Sequence, residues 1–126
     1  MRYIGIDYGT KRTGIAISDL AGSFAFPREV FPTTEALAER VAAYAADEHV
    51  ADIVLGDALT DAGAQNEITP RVDTFARALE ERGLIVHRVR EAWSSAEAMR
   101  YAPPHKRHDD AAAAAIILQR FLDKRT

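Results

Sequence analysis

Apolar and polar positions alternate at the start of the chain. In residues 2–8 (RYIGIDY) and 13–19 (TGIAISD) the residue types favour strands. Gly9-Thr10-Lys11-Arg12 between them suits a tight reversal, which predicts a hairpin. A third strand is predicted over 24–30, where Pro27 cannot donate to a ladder and so marks an edge or a bulge. The period then changes. Thr33-Thr34, with Glu35 close behind, precede Leu37, Val41 and Ala45 at spacing four, predicting a helix from this threonine pair to about His49. Residues 52–57 (DIVLGD) are a short apolar run, read as a buried strand, and 58–65 read as a loop around Gly63. A second helix is predicted over 67–82, stopped by Gly83, and a fifth strand over 84–91. Ser94-Ser95 are placed to cap a short helix ending before Pro103-Pro104, and a last helix starts near Asp109 or Asp110.

The order βββαβαβαα predicts an α/β fold. Three leading strands pair as an antiparallel meander, and two later strands, each reached through a helix, run parallel. The expectation is a mixed five-stranded sheet with helices on both faces. At 126 residues the chain is expected to be a single domain, 1–126. Alanine supplies 24 of the apolar residues, which lets helices sit close to what they pack on. Without cysteine, disulfides, thiolate-bound zinc and thiol catalysis are excluded. No apolar run approaches the ~20 residues of a membrane span, and the opening MRYIGID lacks a signal-peptide layout, so a soluble cytoplasmic protein is expected. The net charge of −3 does not announce a nucleic-acid binder, so any such role must come from a local patch.

Three acids stand out. Asp7 lies within the first strand, where strand parity groups it with Tyr3 and the small Gly5. A carboxylate on a core-facing strand is costly unless paired or bound to a cation. The plainer reading is a strand-end Asp that accepts turn hydrogen bonds. Glu91 ends the fifth strand in parity with His87 and Val89. Asp110 shares a helical face with Ala113, Ala114, Ile117, Leu118 and Phe121, whereas Asp109 is one step around and better placed to cap. These acids can converge at one end of the sheet as oxygen ligands for Mg2+ or Mn2+. A two-metal site of that kind clamps a phosphodiester. Lys11 and Arg12 in the first turn, and Arg100, Lys106 and Arg107 in an acid-free stretch leading to Asp110, are candidates for holding nucleic-acid phosphates.

Residues 5–19, GIDYGTKRTGIAISD, resemble the opening motif of the YqgF family of RuvC-like Holliday-junction-resolvase homologues. The segment from Asp110 through Ala113-Ala114 to Ile117-Leu118 and Gln119 resembles its closing motif, and Gly56 to Gly63 fits the middle one loosely. The resemblance covers essentially the whole chain. It implies an RNase H-like fold and a metal-dependent nuclease that processes the 5′ end of precursor 16S ribosomal RNA. It carries the family's catalytic, metal-holding carboxylates onto Asp7, Glu91 and Asp110. The family's Asp-Glu-Arg around the second acid is here Arg90-Glu91-Ala92, and its Gly-Leu-Pro-Leu is here Gly56-Asp57-Ala58-Leu59. These departures keep one alternative open beside the nuclease, a catalytically impaired RNase H-like nucleic-acid-binding module. A DNA Holliday-junction resolvase is a second alternative, which would need a dimer presenting two active sites. An actin-like or sugar-kinase phosphotransferase shares the Asp-x-Gly-Thr opening, but needs two such domains.

Overall fold

The computed structural model describes residues 1–58, 68–91 and 110–125, with 57–58, 68–69 and 90–91 described as backbone. The expected short helix after Ser94-Ser95, the loop around Gly63 and the basic stretch 98–108 lie outside the described residues. Five strands, β1 (Tyr3–Asp7), β2 (Arg12–Ser18), β3 (Ala25–Pro32), β4 (Asp52–Ala58) and β5 (Ile85–Glu91), form one sheet in the order β3-β2-β1-β4-β5. β1 to β3 pair antiparallel and β4 runs parallel to both β1 and β5, as the element order predicts. Pro27 does sit on an edge strand. It pairs with Ala16 beside a bulge that leaves Arg28 as the extra residue.

Alternation along the strands divides the core in two. Ile4, Ile6, Ile15, Ile17, Ile53 and Leu55 face α1 (Leu37–Glu48) and α2 (Ile68–Glu81), where they meet Leu37, Val41, Phe75 and Leu79. Tyr3, Ala16 and Val54 face α3 (Asp110–Arg125), where they meet Ala114, Ile117, Leu118 and Leu122. Helix α1 begins at Leu37, three residues after the threonine pair. Thr33 is already committed: its hydroxyl lies 2.7 Å from that of Thr13, and its N–H donates to the carbonyl of Lys11. Thr34 makes a local turn instead of a cap, accepting from the N–H of Ala36 and Leu37. The helix ends on His49 in the left-handed region at φ 58°, whose N–H bonds back into the last turn. Gly83, at φ +88°, closes α2 as its position implied.

Helix α3 lies almost on the backbone of the sheet. A Cβ built on Gly5 would stand 2.6 Å from Leu118 Cβ and 2.9 Å from the carbonyl oxygen of Ala114. One on Gly56 would stand 2.7 Å from Ile117 Cδ1, and one on Gly14 would collide with the carbonyl of Asp110. Gln119 fastens the helix to the edge by accepting from the N–H of Ala25 and donating to the carbonyl of Ser23. Because interiors are close-packed, an extra methyl at Gly5 has nowhere to go. Gly5→Ala is expected to lower stability by about 1–3 kcal/mol in urea unfolding. Combined with Leu118→Ala it should cost less than the sum of the two single changes. Additive losses would show that helix contact is not what excludes a side chain at position 5.

Candidate active site

The last residue of β1 and the first residue of α3 meet at one end of the sheet. Asp7 shares the set of alternate β1 positions that faces α3, with Tyr3 and Gly5. Its cross-strand partners are Gly14 on one side and Gly56 on the other. The space that side chains at Gly14 and Gly56 would fill is taken by α3, by the backbone of Asp110 and the side chain of Ile117, so the helix covers the strand end that carries Asp7. Gly14 admits the backbone of Asp110, so the start of α3 comes down beside Asp7. Asp110 is the first residue of α3, the helix whose Ala114 and Ile117 pack on the sheet, and its carbonyl lies over Gly14. Asp109 lies outside the described residues.

The electrostatics follow from that seating. Burial, and secondarily the charge of Asp110, push the Asp7 carboxyl from 3.8 up to about 6. Asp110 is held by Arg12, whose Nε donates to its Oδ2 at 3.1 Å. This pair is substantially exposed, so it orients Asp110 more than it stabilises the fold. Arg12, considered from sequence as a phosphate contact, is thus placed against a carboxylate at the first residue of β2. Lys11 is exposed in the preceding turn. Gly9 permits that turn, because a Cβ there would strike the carbonyl of Arg12.

Glu91 is the last residue of β5, paired with Ala58, two residues beyond the row that joins Asp7, Gly56 and Val89. The backbone therefore brings it to the same end of the sheet as Asp7, at a register position matching His87 and Val89. Among the described residues no group of three or more His, Asp or Glu side chains gathers as a metal site. Arg100, Lys106 and Arg107 fall outside the described residues. His87 hydrogen-bonds Asp52 at 3.0 Å and meets the rings of Tyr3 and Phe121. The Arg12–Asp110 contact escaped the sequence reading, since the partners are 98 positions apart. Glycines at 5, 14 and 56, in strands otherwise filled with Ile, Val and Leu, were the available signal for the helix seat.

A raised Asp7 carboxyl makes stability depend on pH. Unfolded, it ionises near 3.8; folded, near 6. The resulting loss of stability is therefore absent well below pH 3.8, accumulates between about pH 4 and pH 6, and levels off above that at roughly 3 kcal/mol. Without divalent ions, Asp7→Asn should melt at a higher temperature than the parent at pH 8 and at a nearly equal temperature at pH 4. A lower melting temperature at pH 8 would make Asp7 a structural acid held by hydrogen bonds.

Residues 1–124 match the family described as RuvX, Holliday junction resolvase. A relative from Oleidesulfovibrio alaskensis, provisionally named a pre-16S rRNA nuclease, is 40% identical over 98% of this chain and 92% of its own length. One of the same name from Chlorobaculum tepidum is 36% identical over 97% of this chain and 93% of its own. In fold, the chain resembles T. thermophilus RuvC in complex with Holliday junction substrate, with a TM-score of 0.62 at 15% identity over 99% of this chain and 95% of that one. With the match spanning both acids and every described element, the chain belongs to the RuvX Holliday junction resolvase family of nucleases.

Proposed function

We propose that this nuclease is a divalent-metal-dependent endonuclease acting in 5′-end maturation of precursor 16S ribosomal RNA. The observation that carries the reading is the convergence of Asp7 and Asp110, from a strand end and a helix start, on a floor of glycines. Their chemistry fits magnesium or manganese. Both are hard oxygen donors, and burial with the charge of Asp110 makes the ionised Asp7 costly in a way that a bound cation would offset. Glu91, brought by the backbone to the same end, is the third acid of the proposal. The names of relatives 36–40% identical over nearly the whole chain support the ribosomal substrate.

When bound, a pair of such ions lowers the pKa of a water and clamps the charge that develops on a cleaved phosphodiester. The chain supplies the frame. Asp7 and Asp110 would hold the ions, with Asp7 between two residues that lack side chains. Arg12 keeps the Asp110 carboxylate oriented. Lys11, with Arg100, Lys106 and Arg107, would steer the phosphate backbone toward the acids. Holding a metal requires both acids ionised, so proton and metal compete for Asp7, and metal affinity should weaken as pH falls below about 6.

Incubating the protein with labelled precursor ribosomal RNA and with a four-way DNA junction, in manganese and in chelator, tests the proposal. Metal-dependent cleavage of the RNA is expected, with Asp7→Asn and Asp110→Asn each at background and Asp109→Asn close to the parent. Manganese should raise the melting temperature of the parent at pH 8 but not of Asp7→Asn. Cleavage of the junction alone would move the substrate to DNA. Binding of either without cleavage would make the chain a binding module.

A further inference from the structure

The face of the sheet away from α3 carries a cavity of about 500 Å3 between the first turns of α1 and α2. Its position follows from the topology. β1 and β4 run parallel, and β3, two antiparallel steps from β1, runs the same way. The helices that follow β3 and β4 therefore both begin at the end of the sheet that carries Asp7. Tyr8 belongs to the floor of the cavity and packs on Phe75 with ring centroids 5.3 Å apart. Asp7 and Tyr8 are consecutive, so the floor is one residue from the proposed cleavage site, through the thickness of the sheet.

The rim has a definite chemistry. The Thr34 hydroxyl accepts from the N–H of Ala36 at 3.2 Å and still has its own proton to give. The Thr74 hydroxyl donates to the carbonyl of Pro70 at 3.0 Å and still has lone pairs to accept with. Glu35 is an exposed acceptor on the α1 side, and Arg71 an exposed cation on the α2 side. Arg71 has no ion-pair partner among the described residues. Both helices direct the positive ends of their dipoles to this mouth. An apolar floor, a donor and acceptors for an edge, and a guanidinium for an anion suit a flat heterocycle bearing a phosphate. The volume is within the usual range for small-ligand pockets.

We propose that this cavity binds one nucleotide of the substrate strand next to the scissile phosphate, with the base on the Tyr8–Phe75 floor and its phosphate on Arg71. This rests on the chain being a nuclease with Asp7 at its cutting centre. The acceptors on Glu35 and Thr74 favour bases that present an exocyclic amino group, so cytosine, adenine and guanine should bind better than uracil. The pocket thereby reads one base on the opposite side of the sheet from the acids.

The test is amide NMR on the non-cleaving Asp7→Asn protein, titrated separately with CMP, AMP, GMP, UMP and a short single-stranded RNA. Saturable shifts at Thr34, Thr74 and Phe75, weaker for UMP, are expected with the mononucleotides. The same amides should move with the RNA if the nucleotide is taken from within a strand. Arg71→Gln should weaken CMP binding at least about tenfold. In the metal-loaded parent it should raise KM for a cleaved RNA with little change in kcat. Shifts confined to Lys11, Arg12 and Asp110, or equal binding by all four nucleotides that survives Arg71→Gln, would overturn the pocket. The titration does not require cleavage, so CMP binding in the cavity together with a metal-loaded parent that cleaves neither RNA nor DNA would sink the nuclease reading and leave a nucleotide pocket standing. Cleavage without cavity shifts would do the reverse.

Discussion

Everything at the proposed active site depends on how closely α3 approaches the sheet. Ordinary side chains hold a helix well clear of the strands beneath it. Here Gly14, Gly5 and Gly56, on three adjacent strands, let the helix backbone and the bases of its side chains rest on the sheet itself. The contact is steric and short-ranged, so it fixes the height and the register of α3 together. Asp110 is the first residue of that helix, and its carbonyl lies over Gly14, the cross-strand neighbour of Asp7. One packing constraint thus sets the relation between two acids 103 residues apart in the chain.

The same constraint creates an electrostatic deficit. Seating α3 takes Asp7 away from water and brings a second carboxylate toward it, and both effects oppose its ionisation. Arg12 offsets part of the charge on Asp110 through an exposed contact. A fold that only sought stability would place an amide or a hydroxyl at position 7. Keeping an acid there costs stability near neutral pH, and a site that gains a divalent cation recovers it. This is the physical link between the glycine floor and the metal-dependent reaction proposed for this end of the sheet.

Much of this was legible in the sequence because strand parity and helical register are strict. Alternation alone groups Asp7 with Gly5, and the spacing of Ala114, Ile117 and Leu118 alone marks the face of the last helix that packs on the sheet. The element order forces the mixed sheet, and Pro27 announces an edge. The start of α1 was not legible, because Thr33 is drawn off by Thr13, twenty positions away, and a local pattern carries no trace of that bond. The Arg12–Asp110 pair was hidden for the same reason. The cavity between α1 and α2 was hidden too, since it exists only once the direction of β3 and β4 brings two helix starts together.

The central claim is that seating α3 on the glycine floor makes Asp7 an acid waiting for a cation. Carbon-detected NMR titration of the Asp7 carboxyl, without divalent ions, measures this directly. The account predicts a midpoint near 6 in the parent protein. In Asp110→Asn the midpoint should fall but stay above 3.8, because burial is the larger cause and the neighbouring charge the smaller. A midpoint near 3.8 in the parent, unmoved by Asp110→Asn, would contradict it.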